Sequence, residues 1–430
     1  MNKRLIASLA AVIMILSMAV AGCKPAEQAA APAAETNAPA AAEEPAAAEA
    51  PNTDPIKIGF VGPLTGDSAA WGIAQRNEIQ IRIAKVNEAG GLLGRKVELY
   101  YYDNREDAVE TVNAARKLIE NDEVVCILGP NNSLCAQAMS SVCDDYKIPM
   151  ICTNTPLASI TLDANGNVRP YVFRGIMIQT AYIDTIVEWM YDYEGARSAA
   201  CFYILSSDSN VNSIKLFEEK WKAKGGTIVA SETTASADDT DFRAQMTKIK
   251  EANPDIIFSP FTYKQIILMA QQARELGVTS RFCGCDTWFQ VKIPTSAGEQ
   301  VSGCIAIASL DVKNPLLDPI KAEYLEFYGE DQTLKDGGTD PYYGYDVWML
   351  LQNAIEKAGS AEPDAIRDAL ENQSIDVQGC IGKLTINPET HNPTRELAIV
   401  TIDNQNETGE YAYRTLGTVY EGVITRTDGK

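Results

Sequence analysis

Short apolar runs alternate with helix-like segments along most of this 430-residue chain, and this alternation restricts the folds open to it. A short apolar run bounded by turn residues indicates a buried strand. Strands separated by helices imply βαβ crossovers, and hence a mostly parallel sheet with helices on both faces. The first series predicts strands at 56–61, 97–102, 124–128 and 149–152, with helices at 73–88, 109–121 and 134–146.

The same pattern starts again after Arg174, so the unit is repeated. Roughly 376 residues follow residue 54, which is more than one typical hydrophobic core holds. We therefore expect an α/β protein of two doubly wound lobes. The second series predicts helices at 181–193, 212–224, 242–252 and 264–276, and strands at 198–205, 227–233, 255–259 and 281–284.

The first 22 residues have the features of a secretory signal peptide. Lys3 and Arg4 provide a positive start, and residues 5–21 are apolar apart from two serines. Residues 20–23 resemble the lipobox of bacterial lipoproteins, which implies cleavage after residue 22 and a lipid-modified Cys23. An uncleaved membrane anchor is the alternative, and in both cases the remaining chain lies outside the cytoplasm.

Residues 23–54 are rich in alanine, proline and glutamate and contain no aromatic residue, so they cannot bury a core. We expect a disordered linker between the lipid anchor and the lobes. The formal net charge of −21 at pH 7 repels phosphate backbones, which excludes nucleic acid as a partner.

Cysteine and histidine usage argues against a metal site and against most enzyme classes. Without Cys23 nine cysteines remain, so at least one cannot pair within the chain, and any pairing of the others stays open. Cys126 and Cys201 lie inside apolar runs and are expected to be small buried hydrophobic residues. The single histidine, His391, stands in a polar stretch that suggests a surface position. No nucleophile elbow or phosphate-binding loop occurs, so we expect no catalysis, no cofactor and no metal.

Three loops at predicted strand ends carry polar side chains suited to a ligand, because ligands of such sheets bind at the carboxyl ends of strands. One loop ends in Ser133 and the next contains Asn154 and Thr155, which together offer hydroxyl and N–H groups suited to an anion. A loop of the second series contains the carboxylate of Asp286. The combination is complementary to an α-amino acid. The alternative is that Ser133 and Thr155 only cap helices and Asp286 only caps a turn.

A series of short motifs resembles that of the branched-chain amino acid-binding proteins of ABC transporters, and it covers nearly all of residues 55–430. Each motif is weak alone, and their order and spacing carry the resemblance. They are Gly-Pro-Leu-Thr-Gly at 62–66, Ala-Trp-Gly at 70–72, Val-Asn-Glu-Ala-Gly-Gly at 86–91, Gly-Arg-Lys-Val at 94–97, Tyr-Asp at 102–103, Ile-Leu-Gly-Pro at 127–130, Gln-Ala-Arg-Glu-Leu-Gly at 272–277, Gly-Tyr-Asp at 344–346 and Ile-Gly at 381–382.

The resemblance implies a type I periplasmic-binding fold, in which two lobes joined by three hinge crossings close on a ligand. It places residues 55–175 and about 305–395 in the first lobe. Residues 176–304 and about 396–430 then form the second lobe.

By the same resemblance, Ser133 and the pair Asn154 and Thr155 bind the ligand carboxylate, whereas Asp286 of the second lobe binds the amine. Trp71 matches an aromatic residue that lines the side-chain pocket.

Tyr342 lies in a tyrosine-rich region that flanks the pocket in this family. The loop after the first strand of the second lobe departs from the family pattern, because Ser209 and its polar neighbours stand where members carry Tyr-Gly. Thr262 and Tyr263 of the neighbouring loop are candidates to supply a replacement ring.

The resemblance implies a monomeric substrate-binding lipoprotein, held at the membrane by its lipid, that captures a branched-chain amino acid or a relative by lobe closure. It would deliver this ligand to the permease subunits of an ABC importer. Two alternatives stay open. The chain could be the ligand-binding component of a separate sensor, or it could bind an amide or an aromatic acid instead of an amino acid.

Overall fold

The computed structural model describes residues 52–290, 292–311, 314–329, 338–372, 377–405, 409–427 and 429. Residues Asn52–Lys430 form one compact unit. The predicted signal peptide, Cys23 and nearly all of the predicted linker lie outside the described residues. Within the described ranges, no helix is both long and apolar enough to cross a membrane.

The first sheet has five strands, all parallel, in the order β2-β1-β3-β4-β5. Its last three strands are short and completely buried, as expected for strands with helices on both faces. The strands are β1 Ile56–Gly62, β2 Val97–Asp103, β3 Cys126–Leu128, β4 Met150–Cys152 and β5 Val172–Arg174, and the helices between them are α1 Ala69–Glu88, α2 Ala108–Glu120 and α3 Ser133–Tyr146.

The second sheet has eight strands, of which five are parallel and three antiparallel. Four helices that connect or follow its parallel strands are α5 Asp208–Ala223, α6 Arg243–Ala252, α7 Tyr263–Glu275 and α8 Lys292–Ala297, and α4 Gln179–Glu188 precedes the first of these strands. In spatial order the strands are β16 Val423–Arg426, β15 Ala412–Tyr420, β14 Leu397–Asp403, β10 Ile305–Ala308, β9 Arg281–Gly284, β8 Ile256–Phe258, β6 Ser198–Ile204 and β7 Thr227–Thr234.

After β10 the chain returns to the first sheet and adds three helices and a small antiparallel sheet. These elements are α9 Asp318–Tyr328, α10 Asp340–Ala358, α11 Pro363–Glu371, β11 Val377–Gly379, β12 Gly382–Ile386 and β13 Pro393–Thr394. Val347 and Trp348 of α10 share a core with Ile58 of β1. The α1 and α10 backbones pack closely at Gly344, where an added Cβ would lie 2.5 Å from the carbonyl oxygen of Gln75.

The chain passes between the two sheets three times, after β5, after β10 and after β13. The fold is therefore the predicted one, two doubly wound halves joined by three crossings. One boundary was misplaced. The prediction gave residues from about 305 to the first lobe, yet Ile305–Ala308 forms β10, which pairs with β9 and β14 inside the second sheet. The apolar run at this point is a strand, and the crossing begins only after Ala308.

The prediction of a surface position for His391 was wrong. Its side chain is fully buried, and its ring stacks on that of Phe173 with 4.1 Å between the ring centroids. Its Nδ1 lies 3.0 Å from the carbonyl oxygen of Val172. This burial lowers the pKa of His391, because the charged imidazolium is poorly solvated there.

All nine cysteines of the described residues are buried and free. Cys126 and Cys201 lie in the cores of the two sheets, which confirms their prediction as small hydrophobic residues. Burial raises the pKa of Cys152 to about 11 and that of Cys304 to about 12, so these thiols stay protonated at neutral pH.

Candidate ligand-binding site

The predicted ligand residues of the first half lie in loops and helix starts that follow neighbouring strands. Trp71 follows β1, Ser133 follows β3, and Asn154 and Thr155 follow β4. Because β3 pairs in parallel with both β1 and β4, these segments meet at the same edge of the sheet.

Two of these loops are joined by hydrogen bonds that continue into α1 and α10. The Thr153 N–H donates to the carbonyl oxygen of Pro130 at 3.3 Å. The Thr153 hydroxyl donates to Gln75 Oε1 at 2.7 Å, and the Gln75 amide donates in turn to Asp340 Oδ1 at 2.9 Å. Gln75 and Asp340 are both buried, so this chain of bonds fixes the strand-end loops against the two helices.

Ser133 is not the N-cap of α3. That position belongs to Asn132, whose Oδ1 accepts a hydrogen bond from the Cys135 N–H at 2.8 Å. Ser133 occupies the first helical position and is partly buried, so its hydroxyl and N–H lie at the positive end of the helix dipole.

Two buried polar atoms of the same loops have no oxygen or nitrogen partner among the described residues: Thr155 Oγ1, whose neighbour is the Cys152 thiol, and Asn131 Oδ1. The Thr155 side chain has no exposed surface, and Asn154 beside it is partly buried. A buried polar atom without a partner costs about 1 to 3 kcal/mol, which a ligand can recover by bonding to it.

Trp71 lies in the first turn of α1, because the helix begins at Ala69 and not at residue 73 as predicted. Its side chain is 49 % exposed, so much of the ring remains available for contact with another molecule. Tyr342 differs, because it is 3 % exposed and packs in a cluster with Ile81 and Tyr324.

The predicted residues of the second half also follow neighbouring strands. Ser209 lies in the first turn of α5 after β6, and it is exposed. Thr262 and Tyr263 follow β8 at the start of α7, where Thr262 is exposed and its hydroxyl bonds Gln265 Oε1. Asp286 follows β9. Because β8 pairs in parallel with β6 and β9, these segments share one edge of the second sheet.

Asp286 is a partly buried carboxylate that forms no salt bridge with the residues described by the structure. It opens a short 3₁₀ turn, Asp286–Trp288, directly after β9. Burial raises the pKa of Asp286, and hydrogen bonding by the Thr287 N–H offsets part of this effect. An anion in such a position is stabilised by any cation that binds beside it.

Two buried phenols, those of Tyr182 and Tyr343, lie within the electrostatic influence of Asp286. The charge of Asp286 contributes to raising the pKa of Tyr182 and of Tyr343, although burial is the larger cause for both. The Tyr182 hydroxyl lies 2.7 Å from Ser309 Oγ, and Ser309 stands in the second crossing directly after β10. Tyr343 belongs to α10, and Ser309 offsets part of the rise in the pKa of its phenol.

Asp340 precedes Tyr343 by one helical turn and also acts on the pKa of that phenol. Asp340 accepts the amide of Gln75, which reaches Thr153. Hydrogen bonds therefore join Asp340 and Gln75 to Thr153 in the strand-end loops of the first sheet, and the charges of Asp286 and Asp340 both act on the Tyr343 phenol.

Sequence reasoning missed Gln75, Asp340 and Tyr182. One signal was present for Gln75, because it follows Trp71 by four residues and so shares its helix face. Tyr182 gave no comparable signal, since it stands among apolar helix residues that read as core. No group of three or more His, Cys, Asp or Glu side chains in the described ranges could hold a metal ion.

Comparisons with known proteins agree with this architecture. The sequence profile of a family described as periplasmic binding protein matches residues 55–408. A leucine-, isoleucine-, valine-, threonine- and alanine-binding protein of Pseudomonas aeruginosa is 26 % identical over 330 residues, which are 75 % of this chain and 84 % of that protein.

Solved structures show the same fold. A leucine-binding protein from Thermotoga maritima has a TM-score of 0.70 at 25 % identity, with 85 % of this chain and 99 % of that chain covered. A solute-binding protein of an ABC transporter from Rhodopseudomonas palustris, in complex with 3,4-dihydroxybenzoic acid, has a TM-score of 0.71 at 22 % identity, with 88 % and 100 % covered.

The profile match spans most of the chain, and the solved structures confirm the type I periplasmic-binding fold. Proteins of this kind bind solutes outside the cytoplasm without transforming them, which agrees with the prediction that the chain is not an enzyme. The chain belongs to the periplasmic binding protein family.

Proposed function

We propose that this protein binds a free α-amino acid, branched-chain or related, between the strand-end loops of its two sheets. The observation that carries the proposal is that the two sheet edges suit ligand groups of opposite charge. Thr155 and Asn131 present buried polar atoms without partners, and Asp286 is a partly buried carboxylate without a salt bridge among the described residues. An α-amino acid supplies a carboxylate for the first edge and an ammonium for the second.

The first edge suits a carboxylate because it combines hydroxyl groups with the N-terminus of α3. Ser133 contributes its hydroxyl and its N–H at the start of that helix, and Thr155 contributes a second hydroxyl. Hydrogen bonds to a charged group contribute about 1.5 to 3 kcal/mol each, more than bonds between neutral groups.

Ligand binding would act on the relative position of the two halves. A ligand that contacts both Ser133 and Asp286 stabilises the arrangement in which the two edges are close, and it has no such effect on an open arrangement. The three crossings supply the hinge for this movement. The names of the Pseudomonas and Thermotoga relatives support an amino acid as the ligand.

The side chain of the ligand is less constrained. Ser209 is exposed where relatives with an aromatic residue would close on the ligand, so a polar side chain or an amide also fits. An aromatic acid is the second candidate, because Trp71 keeps 49 % of its surface exposed beside the carboxylate loops. An aromatic acid has no ammonium and would not depend on Asp286.

We further propose that Cys23 carries a lipid that holds the monomeric protein at the membrane, where the closed form delivers its ligand to ABC permease subunits. Mass spectrometry of the mature N-terminus tests the lipid, since Cys23 of the parent should carry an acyl group and a Cys23→Ala chain should carry none. Permease and ATPase genes beside this gene support import, whereas a neighbouring histidine kinase gene supports the sensor alternative.

A thermal-shift screen of the twenty amino acids, small amides and aromatic acids tests the ligand class. At a hundredfold excess over its dissociation constant, a ligand of the folded state adds about 2.7 kcal/mol to the free energy of unfolding. Stabilisation by one or more amino acids is the expected result. Stabilisation by aromatic acids alone supports the second candidate, and no response from any compound contradicts the proposal.

A further inference from the structure

Arg174 is a completely buried cation at the carboxyl end of β5, beside the loop that contains Thr155. Its Nη1 donates to the Thr155 carbonyl oxygen at 2.7 Å, and its Nη2 donates to the Leu157 carbonyl oxygen at 2.6 Å. Nη2 also lies 3.4 Å from the Thr161 hydroxyl. The guanidinium therefore holds the strand-end loop at three points.

Arg174 forms no salt bridge with the described residues. The titratable groups that act on it there are Cys152 and Tyr182, and burial keeps both protonated at neutral pH. Its Nε has no hydrogen-bond partner among the same residues. Burial lowers the pKa of Arg174 to about 10, so the side chain still carries its charge at pH 7.

A second buried arginine near the crossings, Arg395, shows that the lack of a carboxylate partner is the unusual feature of Arg174. Arg395 is paired with Asp346 at 2.7 Å, as is normal for a cation inside a protein. Arg174 is stabilised by two backbone carbonyl groups and the Thr161 hydroxyl, with no carboxylate paired to it among the described residues, which leaves a positive charge in a weakly screened environment. That charge binds the backbone carbonyl oxygen of Thr155, the residue whose buried hydroxyl has no oxygen or nitrogen partner among the described residues.

We infer that Arg174 is a positioning residue for the ligand carboxylate: it fixes the Thr155 loop, and its charge favours an anion at that loop. The inference rests on the proposed function, since it concerns the same site. Arg174 does not touch the ligand in this account. It acts through Thr155, because it binds the carbonyl oxygen of this residue. The buried hydroxyl of Thr155 has no oxygen or nitrogen partner among the described residues and is free to bond the ligand. A neutral ligand of the same shape still binds to a positioned loop, but it gains no electrostatic attraction to Arg174.

The test compares acids with their neutral amides by calorimetry at pH 7, in the full protein. The probe pairs are L-leucine with L-leucinamide, and 4-hydroxybenzoate with 4-hydroxybenzamide, so either proposed ligand class is covered. The parent should bind the acid of one pair more tightly than its amide. In Arg174→Gln this preference should fall about tenfold, which corresponds to about 1.4 kcal/mol. Arg174→Lys keeps the charge and should keep most of the preference.

Arg274→Gln is the matched control. Arg274 also clamps backbone carbonyls, those of Val278 and Ser280 at 2.6 and 3.0 Å, but it does so in the loop that enters β9, at the opposite edge of the second sheet. Arg274→Gln should leave the preference for the acid over its amide unchanged. The preference is a ratio within one variant, so a partly unfolded sample does not alter it.

Equal losses for acid and amide in Arg174→Gln would overturn the inference, because they indicate a structural role only. If Arg174→Gln does not fold, loss of the preference in Arg174→Lys overturns it instead. A parent that binds neither acid contradicts the proposed function, and the inference falls with it. A parent that binds an acid and its amide equally contradicts the inference while leaving amino acid binding through Asp286 intact.

Discussion

Arg395 and Asp346 form a buried ion pair with 2.7 Å between Nη1 and Oδ2, and neither side chain is more than 3 % exposed. Arg395 stands in the third crossing and also donates to the Gly175 carbonyl oxygen of the first crossing at 3.3 Å. Asp346 belongs to α10 and accepts the Cys380 N–H at 2.7 Å. The pair therefore ties two crossings to the first half of the molecule.

Asp346→Ala should lower the free energy of unfolding by about 3 to 5 kcal/mol, because it leaves the Arg395 charge buried and unpaired. Urea denaturation measures this change. Glu275→Ala is the control, since Glu275 pairs with Arg243 on the surface and should cost less than about 1 kcal/mol. Similar small costs for both variants would contradict the assigned role of the buried pair.

Glu78 predicts a dependence of stability on pH. It is fully buried in α1 with its Oε1 2.8 Å from Arg82 Nε, and burial raises its pKa from 4.5 to about 8 despite this cation. Between these values the folded protein holds a proton that the unfolded chain has lost. The free energy of unfolding should therefore fall as the pH rises from 5 to 8, by up to about 1.4 kcal/mol for each pH unit.

Glu78→Gln should remove this contribution. The free energy of unfolding of the variant should therefore rise relative to that of the parent as the pH rises through the same window. Urea titrations at several pH values give the difference directly. The buried His391 has a lowered pKa and acts with the opposite sign, since it adds stability as the pH rises through its unfolded value. His391 is present in both proteins, so its contribution cancels in the difference between them. A difference that does not change with pH would refute the raised pKa of Glu78.

The nine buried cysteines predict a simple pattern of thiol reactivity. In the native protein a thiol reagent such as DTNB should react with none of them within minutes, because burial hinders access and keeps the thiols protonated. In denaturant, without reductant, nine thiols besides Cys23 should react. A smaller number under these conditions would mean that some of them pair in the protein.

The alternating strands and helices could be predicted because several strands are short apolar runs with a turn residue directly behind them, such as β1 before Pro63 and β3 before Gly129. The strand at β2 and the helix at α3 were found within one residue of their observed ends. The start of α1 was predicted at residue 73 and lies at Ala69. Gly72 read as a loop residue, but it lies inside α1. Glycine is needed there because an added Cβ would lie 2.0 Å from the Pro63 carbonyl oxygen.

Side-chain burial was harder to predict than secondary structure. His391 read as exposed because its neighbours in sequence are polar, and the partner that covers it, Phe173, is distant in the chain. Arg174 ends β5, a strand that was not predicted. Its contacts with Leu157 and Thr161 depend on the path of a loop that no local pattern specifies.

The positions of the strand-end loops could be predicted from the sequence, but the hydrogen bonds that tie them to the helices could not. Ser133, Thr155 and Asp286 follow from the rule that ligands bind beyond the carboxyl ends of parallel strands. The bonds from Gln75 to Thr153 and Asp340 join a loop and two helices that are distant in sequence and meet only in the folded protein.

Calorimetric titration of Ser133→Ala and Asp286→Asn with the amino acid found by the screen tests most directly whether one ligand bridges the two halves. Each variant removes one group from one sheet edge and keeps the shape of the side chain nearly unchanged. The account predicts a loss of affinity of about tenfold or more for Ser133→Ala and about thirtyfold or more for Asp286→Asn, because both ends of the ligand are charged. Parent-like affinity in either variant would contradict it.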